Sequence, residues 1–314
     1  MSEDRLTAAS LSTPLLEIDI EPFRSREIRF FLKREDLVDS EHSGNKFYKL
    51  HHHLLAAGQR GHTRLLSFGG AWSNHIHALA AAGQRLGLQT IGVIRGEIPA
   101  RLSATLSDAR ERGMVLHFLD RQSYRQKNSP ALLDDLRRRF GDFYLIPEGG
   151  SGALGALGCQ AITRGIVDQC PVPVDYIGVA CGTGATLAGI ASARMCTNRP
   201  VALGFSVLKG AGDLSAQVAN LLAELGAGDA PWRLYSDFHC GGYARLPGYL
   251  STFMRNFEAQ TGIVLDPVYT VKMIRGLCEL VQKGELADAK CIVAVHTGGL
   301  QGRRGFDLPY TEQK

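Results

Sequence analysis

The sequence predicts an α/β protein built from two doubly wound lobes. From Ile28 onward, short β-branched or aromatic runs alternate with longer helical patterns, which is typical of β-α-β units and parallel sheets. The 314-residue chain offers more candidate strands than one comfortable sheet would contain, so we expect two sheets with a cleft between them. Glycine and polar residues follow several of these strands, where parallel sheets bind their ligands.

The candidate strands are short apolar runs bounded by turn residues. They cover residues 28–32, 64–68, 90–95, 115–119, 143–147, 176–180, 202–207, 233–237, 264–268 and 291–295. The candidate helices between them cover residues 45–57, 73–86, 130–140, 185–195, 214–225, 247–261 and 271–283. Several of these helices are followed by glycine, as expected at helix C-termini.

Composition argues against disorder and against a membrane protein. Charged residues make up 21% of the chain, hydrophobic residues make up 45%, and the net charge of +4 is spread without a block of like charges. Nucleic acid is therefore not an expected partner. The N-terminal segment has early acidic residues and no apolar core of a signal peptide, so a cytoplasmic location is expected.

Cysteines and histidines do not predict a metal site. The seven cysteines are widely spaced without any C-x-x-C pair, so reduced cysteines packed as small hydrophobic residues are expected. His51, His52 and His53 are consecutive and point to different faces of a helix. We interpret them, together with His75 and His77, as surface or boundary residues.

The segment Cys181-Gly182-Thr183-Gly184-Ala185-Thr186 follows an apolar strand and opens a helix. A helix N-terminus offers unpaired amides and a positive dipole to an anion, so this loop predicts a phosphate site. A dinucleotide fingerprint is not met, because the next glycine is misplaced and no acidic residue ends the following strand. The alternative is a glycine turn that only permits tight packing of strand and helix.

Lys46 opens a helix directly after Ser43, Gly44 and Asn45. The helix dipole and partial burial both disfavour an ammonium there, so the amine can be neutral and nucleophilic. A neutral amine is what an aldehyde cofactor requires for a Schiff base. The alternative is that Lys46 and Lys49 are two solvated helix lysines.

Ser73 and Asn74 open another helix behind Gly69-Gly70, with amides suited to a carboxylate or a phenolate oxygen. Simple N-capping by Ser73 is the alternative interpretation. Trp72 is either a wall of the cleft or a core residue.

Together these motifs resemble the pyridoxal 5′-phosphate enzymes of the tryptophan-synthase-β type, also called fold type II. Within that family the chain is similar to the 1-aminocyclopropane-1-carboxylate deaminase and D-cysteine desulfhydrase group. The landmarks run in order along nearly the whole chain: residues 33–37, 44–46, 69–75, 147–150, 181–184, 265–270 and 296–299. The resemblance implies pyridoxal phosphate as cofactor, a homodimer, and residues 50–148 inserted as a small lobe into a large lobe of residues 1–49 and 149–314.

The resemblance also assigns roles to residues. Lys46 would carry the cofactor and move the proton, and the loop from Cys181 to Thr186 would hold the phosphate. Asn74 would bind the phenolic oxygen, and Thr297 would lie near the ring nitrogen. Ser73 with its neighbours would hold the substrate carboxylate. Trp72, Tyr243 and Tyr269 would border the substrate, with Lys46, Ser73 and Tyr269 as the catalytic residues.

Thr270 favours one activity within this group. Deaminases of the cyclopropane substrate carry a glutamate directly after the tyrosine of the D-P-V-Y motif, near the ring nitrogen, and this chain has Thr270. A hydroxyl leaves the ring a weaker electron sink than a carboxylate would. The expected activity is therefore conversion of D-cysteine to pyruvate, sulfide and ammonia. The alternative interpretation of Thr270 is that it serves only as a helix N-cap.

Other functions remain open at this point. Deamination of the cyclopropane substrate to 2-oxobutanoate and ammonia is the second enzyme candidate. Trp72 stands where the family often has glutamine, and Val271 stands where it often has glycine. Because of these two differences, the chain could act on another substrate, or it could bind the cofactor without useful turnover. A nucleotide-binding oxidoreductase that uses the loop of residues 182–186 is an alternative from another class.

Overall fold

The computed structural model describes residues 3–39, 44–195, 199–210, 212–306 and 308–309. Ser43 of the predicted lysine motif and Cys196 lie outside this part of the chain.

The strands form two sheets. They are β1 (Leu15–Glu17), β2 (Arg29–Lys33), β3 (Arg64–Gly69), β4 (Gln89–Arg95), β5 (Val115–Leu119), β6 (Tyr144–Ile146), β7 (Tyr176–Cys181), β8 (Val201–Ser206), β9 (Trp232–Tyr235) and β10 (Cys291–Val295). The larger sheet has the order β1-β2-β10-β7-β8-β9, and the smaller has the order β5-β4-β3-β6. All neighbours pair in parallel except β1, which runs antiparallel to β2. The division into lobes at residues 50 and 148 stays a prediction.

Helices connect the parallel strands. They are α1 (Glu3–Ser12), α2 (Asn45–Gln59), α3 (Asn74–Leu86), α4 (Ala104–Glu111), α5 (Arg121–Arg125), α6 (Pro130–Phe140), α7 (Gly152–Gln169), α8 (Ala185–Ser192), α9 (Leu214–Glu224), α10 (Gly248–Thr261) and α11 (Thr270–Gln282). Short 3₁₀ turns include Glu148–Gly150 and Leu300–Phe306.

Side chains alternate between the two faces of each sheet. In β10, Ile292 and Ala294 join one apolar cluster, while Cys291, Val293 and Val295 join the cluster on the opposite face. This continuous apolar pattern is what a parallel sheet covered by helices on both faces requires.

Helix α2 joins the two halves of the molecule. Tyr48 near its start is buried in a cluster of the larger sheet, whereas Leu50 and Ala57 are buried in a cluster of the smaller sheet. The start of α2 is therefore held between two packed cores.

Most predicted strands are confirmed, but the strand predicted at residues 264–268 is wrong. This segment is irregular, and its backbone groups bond to side chains instead of a neighbouring strand. The Leu265 amide donates to Glu258 Oε1 (2.9 Å), and the amides of Val268 and Tyr269 donate to the Asp266 carboxylate (3.0 and 2.9 Å). Pro267 has no amide to give to a ladder. The sequence analysis also missed the strand β1 and the helices α1, α4, α5 and α7.

Buried lysines stabilise irregular backbone in this fold. Lys33 in β2 is fully buried, and its Nζ donates to the Thr13 carbonyl (2.8 Å), to Gln169 Oε1 (2.7 Å) and to the Ser10 carbonyl. The buried Glu35 accepts from Ser10 Oγ (2.7 Å), and burial raises the pKa of its carboxyl. These contacts fasten α1 to the end of β2.

Glycines allow three helices to approach each other closely. A Cβ on Gly158 of α7 would lie 2.0 Å from the Tyr48 carbonyl oxygen of α2, and one on Gly189 of α8 would lie 2.3 Å from the Ala156 carbonyl oxygen of α7. No side chain fits at either crossing, so glycine is required there despite its low helix propensity.

We therefore expect opposite effects from the same substitution in two helices. Gly158→Ala should lower the free energy of unfolding by about 2 kcal/mol or more, because α2 and α7 must separate. Gly58→Ala in the exposed last turn of α2 meets no atom within 4 Å. It should raise the free energy of unfolding by about 0.5 kcal/mol through helix propensity. Urea unfolding measures both, and a stable Gly158→Ala protein would contradict the packing account.

Candidate active site

A close backbone contact fixes the start of α2 at the carboxyl end of β10. Gly44 has φ of 70°, and a Cβ there would lie 1.8 Å from the Thr297 carbonyl oxygen. That oxygen accepts a hydrogen bond from the Asn45 amide (3.3 Å). Glycine is therefore required at position 44 for two reasons, its conformation and the space available.

Lys46 follows this contact in the first turn of α2. Its side chain is half-buried, and its Nζ donates a long hydrogen bond to the Gly149 carbonyl oxygen (3.4 Å). Burial lowers the pKa of Lys46 well below its ordinary value, and the neighbouring Lys49 lowers it further. The amine can therefore be neutral near pH 7, as a nucleophile or base must be.

The solvated-lysine alternative is wrong for Lys49. Its side chain is buried, with 3% exposure, and burial lowers the pKa of its amine as well. Lys49 lies beside Lys46 and close enough to Cys159 and Cys181 to interact with them electrostatically. The sequence could have indicated the position of Lys49, because it lies three residues after Lys46 and residues at this spacing share one helix face. Lys49 thus places a second buried amine next to the loop that begins at Cys181.

The predicted phosphate loop connects β7 to α8. Gly184 precedes α8 with φ of 75°, and the first amides of a helix have no intrahelical acceptor. Thr183 Oγ1 is buried without a hydrogen-bond partner, which is costly unless a ligand accepts from it. The side chains of Cys181 and Ala185 pack in the core, so only their backbone can contact a ligand.

One hydrogen bond links this loop to α2. Asn45 Nδ2 donates to Thr186 Oγ1 over 2.8 Å, from the residue next to Lys46. This hydrogen bond ties the start of α2, which carries Lys46, to the predicted phosphate loop. Thr297 joins the same region from β10, with its side chain buried and its carbonyl engaged by Asn45.

The start of α3 forms another wall. Ser73 caps the helix, since its Oγ accepts from the Ile76 amide (3.2 Å), so the capping interpretation of Ser73 is confirmed. Asn74 Oδ1 accepts from Gln301 Nε2 (2.7 Å), which leaves its own amide nitrogen next to Gly299. The Trp72 ring packs close to Gly305, where a Cβ would lie 3.1 Å from the nearest ring atoms.

Aromatic residues surround a cavity of about 170 Å³ at this wall. Trp72, Asn74, Tyr243 and Tyr269 line it, together with Phe306. The Tyr243 and Tyr269 rings meet edge to face at 6.1 Å between centroids. Tyr269 also reaches the phosphate loop, because its hydroxyl lies 3.6 Å from the position of a Cβ on Gly182. The cavity and the loop are therefore adjacent parts of one cleft.

Thr270 is not a helix N-cap. The Asp266 carboxylate caps α11 by accepting the Thr270 amide (2.6 Å) and the two amides before it. The Thr270 side chain is fully buried and its Oγ1 has no partner. The N-cap interpretation of Thr270 is therefore wrong, and its hydroxyl is a buried polar group that other residues do not satisfy.

Three histidines that we predicted near the surface are buried: His51, His53 and His75. His75 Nε2 bonds with Ser67 Oγ (2.8 Å), whose own hydrogen goes to the Ile146 carbonyl (2.8 Å). Nε2 therefore carries the proton, and burial holds the pKa of His75 well below its ordinary value. Within the described ranges no cluster of three His, Cys, Asp or Glu side chains could hold a metal ion.

These groups fit the cofactor that the resemblance implies. A phosphate needs amides, hydroxyls and a cation, and the cleft offers the start of α8, the unpartnered Thr183 and the buried Lys49. An aldehyde needs an amine that can be neutral, and Lys46 supplies one. A ring nitrogen needs a polar partner, and the unpartnered Thr270 hydroxyl can supply it.

Comparison with known proteins shows the family of the chain. The family model described as pyridoxal-phosphate dependent enzyme matches residues 7–298. The chain is 31% identical to D-cysteine desulfhydrase of Klebsiella pneumoniae subsp. pneumoniae, over 94% of each chain. It is 30% identical to the mitochondrial bifunctional D-cysteine desulfhydrase/1-aminocyclopropane-1-carboxylate deaminase of Arabidopsis thaliana, over 94% of this chain and 78% of that protein.

A solved structure supports the fold in the same way. The crystal structure described as the ACC deaminase homologue superposes with a TM-score of 0.79 at 30% identity, and 95% of each chain is covered. The predicted fold class, tryptophan-synthase-β-like with two parallel sheets, is confirmed. The family match argues against the oxidoreductase alternative, and the described residues include no helix long and apolar enough to cross a membrane.

The family and the site together identify the cofactor as pyridoxal phosphate and the protein as an enzyme. The chain belongs to the family of pyridoxal-phosphate dependent enzymes.

Proposed function

We propose that this enzyme is a lyase that eliminates the β-substituent of a small amino acid, with D-cysteine as substrate. Pyruvate, sulfide and ammonia would be the products. The observation that carries the choice is Thr270, whose buried and unpartnered hydroxyl stands directly after Tyr269. The related deaminases have a carboxylate there, which would keep the ring nitrogen protonated.

The proposed cofactor contacts follow from the geometry of the cleft. Lys46 would bind the aldehyde carbon, and the loop of residues 181–186 with Lys49 would bind the phosphate. Asn74, which keeps a free amide nitrogen beside Gly299, would donate to the phenolic oxygen. Thr297 would contribute at the ring, as the resemblance implies. The bound cofactor supplies the electron sink that makes loss of the Cα proton feasible.

The protein residues supply binding, orientation and proton movement. Amides and the hydroxyl at Ser73, with Asn74, would hold the substrate carboxylate at the start of α3. The Lys46 amine would take the proton from Cα, because its lowered pKa leaves it unprotonated before the step. Burial raises the pKa of Tyr269 well above its ordinary value, so its hydroxyl stays protonated. It can therefore donate a hydrogen bond to the departing sulfur.

The cavity walls set the size and polarity of the substrate. Trp72, Tyr243 and Tyr269 would exclude water around the β-substituent, and the volume of about 170 Å³ suits a small amino acid. Trp72 is fixed by its contact with Gly305 and replaces a more polar residue of the family pattern.

Deamination of 1-aminocyclopropane-1-carboxylate is the second candidate. It is supported by the similarity to the bifunctional Arabidopsis enzyme and to the ACC deaminase homologue. The same cofactor contacts would serve both reactions. D-cysteine would lose its Cα proton and then its Cβ–S bond, whereas the cyclopropane substrate has no Cα hydrogen and would break a Cα–Cβ bond of its ring.

Two further proposals concern the cellular setting. We propose a homodimer, on the basis of the family resemblance. We propose a cytoplasmic location because the six cysteines of the described residues are free, as is typical of a reducing compartment.

We expect the loaded enzyme to release pyruvate from D-cysteine and none from L-cysteine, in separate incubations assayed for the 2-oxo acid. With 1-aminocyclopropane-1-carboxylate we expect 2-oxobutanoate at a rate at least about tenfold lower, equal to about 1.4 kcal/mol in activation free energy. If 2-oxobutanoate formation is faster, the assignment from Thr270 is wrong.

Substituting Thr270 tests the physical reason for this preference. Thr270→Glu should raise the ratio of kcat/KM for the cyclopropane substrate to kcat/KM for D-cysteine by about tenfold, because a carboxylate favours the protonated ring nitrogen. Thr270→Val is the matched control, since it keeps the shape and removes the hydroxyl. Equal ratios in the two variants would show that the charge at position 270 does not set the preference.

A further inference from the structure

The loop that carries Tyr243 has a backbone conformation that needs support. Cys240 has φ of 52°, Gly241 of 93°, Gly242 of 119° and Ala244 of 54°. Two of these residues are not glycine, and left-handed conformations cost them free energy. Tyr243 itself is 41% exposed, so packing alone does not immobilise its ring. Some other contact must hold the loop in place.

Lys272 makes that contact. Its side chain is fully buried in the first turn of α11, and its Nζ donates to the Gly242 carbonyl oxygen over 2.7 Å. A hydrogen bond from a charged donor is stronger than a neutral one, and removing it would leave the carbonyl without its partner. The residue immediately after that carbonyl is Tyr243.

The start of α11 also positions Tyr269, the other ring of the tyrosine pair. Tyr269 immediately precedes α11, and the Asp266 carboxylate fixes that start through the amides of residues 268–270. Lys272 lies three residues after Tyr269, so one helical turn determines the position of both rings. Burial lowers the pKa of Lys272. Cys240 and Asp266 act in the opposite direction and favour the charged form of this lysine.

We propose that Lys272 is a positioning residue, whose ammonium holds the Gly242 carbonyl and thereby places Tyr243 against Tyr269 at the substrate cavity. This inference rests on the proposed role of Tyr243 at the substrate. Lys272 does not line the cavity, so it acts on the substrate only through the loop.

A double-mutant cycle tests the proposal. Lys272→Met keeps the length of the side chain and removes its charge and donors. In the otherwise unchanged enzyme it should lower kcat/KM for the substrate by about tenfold, the effect of one buried charged hydrogen bond. In a Tyr243→Ala background it should lower kcat/KM by less than about twofold, because the ring to be positioned is gone. Equal factors in the two backgrounds would overturn the proposal.

Lys33→Met is the matched control for a merely structural effect. Lys33 is also fully buried and also donates to backbone carbonyls, but it lies in β2 beside α1. It should lower the urea midpoint while leaving KM unchanged. Lys272→Arg keeps a charged donor and should restore kcat/KM to within about threefold of the original enzyme. Loss of the same size in both the Arg and Met variants would count against the hydrogen bond.

Hydrogen exchange provides a readout that does not depend on turnover. In the cofactor-loaded protein, amides of residues 241–246 should exchange about tenfold faster in Lys272→Met than in the original enzyme or in Lys33→Met. Unchanged exchange would overturn the proposal even if the substrate assignment is correct. Faster exchange in an enzyme that turns over none of the tested amino acids would support the role of Lys272 and refute the proposed function. If Lys272→Met does not fold, Lys272→Gln replaces it in both measurements.

Discussion

The contact between Gly44 and the Thr297 carbonyl is the constraint on which the site depends. It brings the start of α2 to the end of β10 at a distance that no side chain on residue 44 could tolerate. Because Asn45 then bonds to both Thr297 and Thr186, the first turn of α2 is fixed relative to α8. The position of Lys46 follows from these backbone contacts, and its own side chain adds only a weak hydrogen bond. A weakly bonded amine on a helix start that is held by backbone contacts suits a residue that would bind a cofactor and also move a proton.

Two buried amines on one helix face explain the electrostatics of the cleft. Burial lowers the pKa of both Lys46 and Lys49. Lys49 lowers the pKa of Lys46 further, whereas the hydrogen bond with Lys46 raises the pKa of Lys49. An anion at the start of α8 would compensate a charged Lys49, while Lys46 remains the neutral partner. In the proposed mechanism the arrangement would separate two roles for the same residue type, with Lys49 as a cation and Lys46 as a nucleophile.

Much of this organisation could be predicted from the sequence, because it depends on local patterns. Apolar runs and glycine turns located nine strands, and the position of Lys46 after Gly44-Asn45 indicated its altered pKa. Long-range contacts could not be predicted. The buried state of Lys49 and His75 depends on α7 and on the turn at residues 148–150, since Gly150 packs against both side chains. The irregular segment before Tyr269 depends on Glu258 and Asp266 as acceptors. Lys272 gave no sequence signal, because its carbonyl partner lies 30 residues away.

The proposed role of Lys46 is tested most directly by identifying the lysine that carries the cofactor. The loaded protein would be reduced with borohydride, which fixes the cofactor covalently, and the labelled peptide would be identified by mass spectrometry. We expect label on Lys46 alone in the original enzyme and no label in Lys46→Ala. In Lys49→Met we expect the label still on Lys46, with weaker retention of the cofactor. Label on Lys49, or undiminished label in Lys46→Ala, would contradict the proposed role of Lys46.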